Sequence, residues 1–243
     1  MNKEKELVMI HGWDPNFYTN NLQENHQYKG VAWINRKELI SKLRSQFDVK
    51  FFDLAGFSGK AEPKSKFYDI ENFSDDLNTW LLNENIEPLA LIGYSFGGAV
   101  ALNYKLRYKA RTPVVLISPA LTRKESTFSA IGNVSKDFVP GVVKEQLKSV
   151  YQYIFSKYYR HGSPFIRQSY DHIVRRNTSN DLEKVNCKDI LLIYGTKDSS
   201  TPWIEVKDIV IKMGINHILI NGGHNIGETN AVDIFNAITD FVK

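Results

Sequence analysis

Apolar residues along this chain fall into short unbroken runs separated by longer stretches in which they recur every three or four positions. The short runs are LVMI (7–10), VKFFDL (49–54), LALIG (89–93), PVVLIS (113–118), ILLIYG (190–195) and HILIN (217–221). Unbroken rather than alternating apolar runs predict strands covered on both faces, as in a parallel sheet. The periodic stretches predict helices over 35–46, 71–85, 97–109, 202–213 and 228–241, with Pro202 at the opening of the fourth, where proline is tolerated. Strand and helix alternate, so the expected fold class is α/β: a mostly parallel sheet of about six strands flanked by helices.

Two stretches break the rhythm. Residues 14–34, DPNFYTNNLQENHQYKGVAWI, form a long, polar, aromatic-dotted connection after the first strand, and loops of that length are usually functional. Residues 120–187 carry no strand pattern but do carry helical runs, among them VPGVVKEQLKSVYQYIFSKYYR and FIRQSYDHIVRR. The expected organisation is a core made of 1–119 and 188–243, interrupted by a helical cap insertion over 120–187.

Composition changes this picture little, except through its distribution. The net charge of +4 is too small to argue for nucleic acid. Between Leu121 and Cys187, however, eleven Lys and Arg face six Asp and Glu, so the whole basic excess sits in the insertion. Cys187 is the single cysteine, which excludes an intrachain disulfide and a C-x-x-C motif. No run approaches the ~20 apolar residues of a membrane span, and Leu7–Ile10 is too short for a signal-peptide core. A cytoplasmic protein without an integral membrane segment is expected, as monomer or homodimer.

Candidate chemistry lies where the third strand turns into a helix. Gly93-Tyr94-Ser95-Phe96-Gly97 is G-x-S-x-G, in which small flanking residues let strand and helix backbones pass closely while the turn lifts the central hydroxyl above the sheet edge. The turn also aims the N–H of Phe96 and the helix N-terminus at any oxyanion formed there. A serine needs a base to remove its proton. Of six histidines, His224 follows the last strand at the same carboxyl edge, between Gly222-Gly223 and the final helix. His217 begins a strand at the opposite edge, and His26, His161 and His172 lie in the irregular stretches. Asp198 follows the fifth strand by a short turn and can orient the imidazole. Asp208 lies inside a helix and Glu125 after the fourth strand. The chain order Ser95, Asp198, His224 suits this architecture.

Together these segments resemble the α/β-hydrolase fold superfamily, as serine hydrolases of esterase or lipase type with a helical cap. GYSFGG is similar to its nucleophile elbow, GTKDSSTP to its acid loop and NGGHN to its histidine loop. MIHGW resembles its His-Gly oxyanion motif, FDLAGFSGKAEP the Asp-x-Pro-Gly-x-Gly-x-Ser stretch, and SNDLEKVNCKDILLIYGTKD the return from the cap. The resemblance implies Ser95 as nucleophile, His224 as base, Asp198 as its orienting acid, and an oxyanion hole built from the N–H groups of Trp13 and Phe96. It leaves His11 a structural role and requires neither metal nor cofactor. Two departures stand out: the family's usual N-terminal hairpin is lacking, and Ala55 replaces the expected proline.

Gly12 and Tyr94 are expected to line the substrate pocket beside Trp13 and Phe96, leaving room for short or medium acyl groups. Some cap aromatics (Phe128, Phe138, Tyr151, Tyr153, Phe155, Tyr158, Tyr159, Phe165, Tyr170) should wall it. Arg160, Arg167, Arg175 and Arg176 form a solvated face, one of which could hold an anionic substrate tail. The implied activity is cleavage of a carboxylic ester of a small acyl substrate through an acyl-enzyme. A thioesterase, a C–C bond hydrolase, a peptidase and a slow-turnover ligand-binding protein remain alternatives on the same fold. Binding of the basic cap to a membrane surface or nucleic acid has no motif behind it.

Overall fold

A computed structural model describes residues 5–22, 30–122, 161–174 and 176–243. Six parallel strands form one sheet in the order β2-β1-β3-β4-β5-β6. They are β1 (Glu6–Ile10), β2 (Asp48–Phe52), β3 (Ala90–Tyr94), β4 (Val114–Ile117), β5 (Ile190–Gly195) and β6 (Asn216–Ile220). Each lies within a residue or two of its predicted run. The β1, β3, β4 and β5 strands are inner ones, and almost every residue in them is buried, which is why their sequences do not alternate.

Helices cover both faces. On one side α1 (Lys37–Arg44) and α7 (Ala231–Phe241) bury Leu39, Leu43, Ile234 and Ile238 against Leu7, Met9, Ile92 and Ile193. On the other, α2 (Ile70–Asn83) and α3 (Phe96–Arg107) pack Phe73, Leu77, Val100 and Leu102 against Val8, Ile10, Leu91 and Leu116. A capping box opens α2, with the Asp69 carboxylate accepting from the Asn72 N–H and the Asn72 side chain accepting from the Asp69 N–H.

Three expectations need correction. The fourth predicted helix does not start at Pro202: that residue is extended, with ψ 133°, and precedes a short 3-10 turn, Trp203–Glu205, so the helix α5 spans only Lys207–Lys212. The last helix is broken at Asn230 (φ −125°, ψ 39°) into α6 (Ile226–Thr229) and α7. The connection after β1 is no open loop where it is described. It holds 3-10 turns at Pro15–Phe17, Thr19–Asn21 and Val31–Arg36, and buries Phe17, Tyr18, Ala32 and Trp33. Its anchor is residues 56–58: Thr19 N–H donates to Gly56 C=O and Ser58 N–H to Phe17 C=O.

Within 120–187, FIRQSYDHIV falls in α4 (Pro164–Val174), which sets Phe165, Ile166 and Ile173 into the core beside α2 and α3. The longer predicted run, with Phe128, Phe138, Tyr151, Tyr153, Phe155, Tyr158, Tyr159 and Arg160, lies outside the described residues, as does Arg175. Arg167 is exposed and Arg176 pairs with Glu71. Cys187 is half-buried against the core. Among the described residues, no helix is long and apolar enough to cross a membrane.

Candidate active site

The turn from β3 into α3 is as tight as its glycines imply. A Cβ on Gly93 or Gly97 would come under 3.0 Å from backbone atoms, of Gly97 and Gly98 in the first case and of Ile10 and His11 in the second. Ser95 itself sits at φ 51°, ψ −116°, a region that costs an L-residue on the order of 1–3 kcal/mol. Backbone bonds hold it there: its N–H donates to Ile117 C=O, and its C=O accepts from Gly98 and Ala120, at 2.9–3.0 Å. The side chain is thereby presented at the carboxyl ends of the strands.

His224 and Asp198 converge on the same point from the ends of β6 and β5. His224 Nε2 is 3.1 Å from Ser95 Oγ, and His224 Nδ1 is 2.8 Å from Asp198 Oδ2. With Nδ1–H donating to the carboxylate, Nε2 is left to accept the serine proton. Backbone contact between the two loops fixes their spacing. Lys197 N–H donates to Gly222 C=O, and Gly195 leaves no room for a side chain against the carbonyls of Gly222 and Gly223.

The carboxylate is anchored on its other oxygen. Asp198 Oδ1 accepts from the N–H groups of Ser200 (2.8 Å) and Thr201 (2.9 Å). The Thr201 hydroxyl, 2.9 Å from Asp198 Oδ2 and 3.1 Å from Ser118 C=O, divides its one proton between them. Burial opposes ionisation of Asp198, but the bonds from His224 and Thr201 outweigh it and hold its pKa below the ordinary carboxylate value. Thr201 was not anticipated from the sequence. Its place just after an acidic turn residue was the available signal: Ser200 N–H closes an Asx turn on Asp198, and Thr201 N–H adds a second bond to the same oxygen.

Gly12 and Trp13 lie across from Ser95, after β1. A Cβ on Gly12 would stand 3.0 Å from Ser95 Cβ and 3.2 Å from Tyr94 C=O, so the glycine keeps the approach to the serine open. Phe96 is the first residue of α3, where the N–H has no carbonyl within its own helix. The Trp13 ring packs edge-on against Phe57, Phe73 and Phe96, tilts against Tyr170 of α4 at 5.7 Å, and donates its indole N–H to the Tyr18 hydroxyl. Tyr170 of α4 therefore touches the residue that follows Gly12.

Tyr94 departs from its expected place in a pocket wall. It is 3% exposed, and its ring fills the space between Trp33, the Arg36 guanidinium and the His224 ring. Its hydroxyl donates to His224 C=O and lies 3.2 Å from Asn225 Oδ1. Burial raises its pKa, so the phenol keeps the proton it donates. Residues at i and i+2 of a strand share a face, so Tyr94 follows Ala90 and Ile92 onto the α1 and α7 side of the sheet, beneath the histidine loop.

His11 is 2% exposed and has both ring nitrogens engaged away from Ser95: Nδ1–H donates to Gly12 C=O at 2.8 Å, and Nε2 accepts Leu54 N–H at 3.0 Å. Burial lowers its pKa to about 4 from 6.5. Between those values the unfolded chain binds a proton that the native state refuses, so stability falls as pH drops through that window. At pH 5 the expected loss relative to pH 7 is about 2 kcal/mol. Urea unfolding of wild type and His11→Gln at both pH values measures it; an equal pH dependence in the two proteins would refute the assignment.

Comparison with known proteins identifies the family and the fold. The family model described as "alpha/beta hydrolase fold" matches residues 7–165. A pimeloyl-[acyl-carrier protein] methyl ester esterase of Aliivibrio salmonicida is 30% identical over 96 residues, 40% of this chain and 28% of that protein. A (lyso)-N-acylphosphatidylethanolamine lipase of Homo sapiens is 28% identical over 123 residues, 49% of this chain and 31% of that one. The chain thus matches under a third of the length of either relative. Among solved structures, an esterase from Exiguobacterium antarcticum superposes with a TM-score of 0.66 at 17% identity, covering 100% of this chain and 93% of that one. A bromoperoxidase from Bacillus anthracis gives 0.67 at 20% identity, covering 99% and 92%. At such identities the structures speak for the fold alone. With its parallel sheet, its strained serine turn and a family match over most of its length, this chain belongs to the alpha/beta hydrolase fold family.

Proposed function

We propose that the protein is a serine hydrolase that cleaves a carboxylic ester of a small to medium acyl substrate through an acyl-enzyme. The observation that carries this reading is the continuous hydrogen-bonded line from Ser95 Oγ through His224 to Asp198. In the forward step Ser95 Oγ attacks the acyl carbon while its proton passes to His224 Nε2. The imidazolium so formed is held by the Asp198 carboxylate, then protonates the leaving alcohol. The carbonyl oxygen, now an oxyanion, takes the N–H groups of Phe96 and Trp13, each such donor lowering the barrier by roughly 2–4 kcal/mol. Water enters, and the same base drives deacylation.

The described part of the proposed cap reaches this centre through Tyr170 on α4, which lies against Trp13. The esterase and lipase names among the relatives favour an oxygen ester over the thioester, C–C or amide bond of the alternatives. The test is hydrolysis of p-nitrophenyl esters of increasing acyl length, together with labelling by a fluorophosphonate probe. Turnover with an optimum at short or medium acyl length, and labelling at Ser95, are expected. Absence of both would overturn the reading and leave a binding protein on the same fold.

A further inference from the structure

Beneath the histidine loop lies a buried cation with no part in the steps above. Arg36 ends the 3-10 turn Val31–Arg36 and is 8% exposed. Its guanidinium carbon stands 3.8 Å from the centroid of the Tyr94 ring and 5.8 Å from that of Trp33. Nη2 lies 3.5 Å from both Asn225 Oδ1 and Glu228 Oε1, and the stem lies against Gly227, where a Cβ would be 3.1 Å from Arg36 Cδ. Tyr94, Asn225, Gly227 and Glu228 are therefore all held by one side chain. Three of them lie within four residues of His224, and the fourth donates its hydroxyl proton to the His224 carbonyl.

Burying a guanidinium is costly unless it is paired, and here Nη2 meets acceptors while the buried Nε has none among the described residues. Its flat face is satisfied by Tyr94, which an ammonium could not do equally well. The arrangement is more than the loop needs for burial: Ile226, also buried, already anchors it to the core. What the cation adds is direction. Stacked on the ring, it fixes the tilt of Tyr94 and hence the point at which the phenol grips the His224 backbone. Through Asn225 and Glu228 it fixes the loop on the far side of that grip.

We infer that Arg36 is a positioning residue for the proposed hydrolysis, holding the His224 backbone through Tyr94, Asn225 and Glu228 so that the imidazole bridges Ser95 and Asp198. This rests on the serine-hydrolase reading for its kinetic consequence but not for its structural one. A misplacement of a catalytic group by about 1 Å can cost up to ~100-fold in rate, and an effect on alignment belongs in kcat rather than KM.

The experiment compares wild type with Arg36→Lys, and with Glu228→Gln, which loosens the guanidinium from the half-exposed side without opening the core. Ester kinetics are read with the low-field NMR resonance of the His224 Nδ1 proton bonded to Asp198. Arg36→Lys is expected to lower kcat by about tenfold or more with KM within about twofold, and to broaden or shift that resonance. Glu228→Gln should move both in the same direction by less. A merely structural Arg36 would lower the melting temperature while kcat per labelled Ser95 and the resonance stay put, and that result overturns the inference. If wild type hydrolyses no ester, the proposed activity fails by itself, and the resonance still decides whether Arg36 sets the imidazole.

Discussion

Ser95→Ala is expected to lower kcat for the best p-nitrophenyl ester by about 10⁶-fold while leaving the fold in place. The size follows from what the hydroxyl does. In the proposed mechanism it is the atom that becomes acylated, and no other nucleophile stands within hydrogen-bond reach of His224 Nε2 among the described contacts. The residual rate, about 10³-fold over the uncatalysed reaction, would come from oxyanion donors and binding alone. The fold survives because the bonds that hold residue 95 run through its backbone, to Ile117, Gly98 and Ala120, and alanine keeps all of them. Stability offers a separate check on the strain. Ser95→Gly removes the Cβ that is unfavourable at φ 51° and should stabilise the chain by up to about 1 kcal/mol, offset in part by the greater freedom of an unfolded glycine. A thermal melt in which Ser95→Gly is markedly less stable than Ser95→Ala would count against a strained nucleophile turn.

The sequence carried the sheet because burial on both faces writes itself as unbroken apolar runs, and β1, β3, β4 and β5 are of that kind. It also placed Ser95, Asp198 and His224 near one another, since each follows a strand of a parallel sheet and the carboxyl ends of such strands share one edge. Pro202 misled because proline suits both the first turn of a helix and an extended residue just ahead of one; here its carbonyl is used by Glu205 N–H in a 3-10 turn. The segment after β1 reads as polar, yet Tyr18 and Trp33 are buried. Their partners, Phe57 and Tyr94, lie about forty and sixty positions away, and periodicity within a window cannot reach them. The same limit hid Arg36. A charged residue at a helix entrance reads as solvent-facing, and only the tertiary fold brings it under Asn225 and Glu228.

Asp198→Asn is expected to cost about 10⁴-fold in kcat, for a reason that goes beyond the lost charge. Asp198 Oδ1 accepts two backbone N–H groups, from Ser200 and Thr201, so an asparagine at this position must keep its carbonyl oxygen there. The amide NH₂ is then forced into the place of Oδ2, facing His224 Nδ1 and the Thr201 hydroxyl. Two donors cannot share that contact. The imidazole answers by moving its proton to Nε2, which then points an N–H at Ser95 Oγ and can no longer take the serine proton. The defect is one of tautomer, and it predicts a rescue pattern: raising the pH should restore part of the rate through direct ionisation of the serine, whereas Thr201→Val should not. Thr201→Val alone removes only the hydroxyl that supports Oδ2 and should cost far less than Asp198→Asn, because the Thr201 N–H remains on Oδ1. Equal losses in the two variants, or full activity in Asp198→Asn, would show that Asp198 does not orient His224.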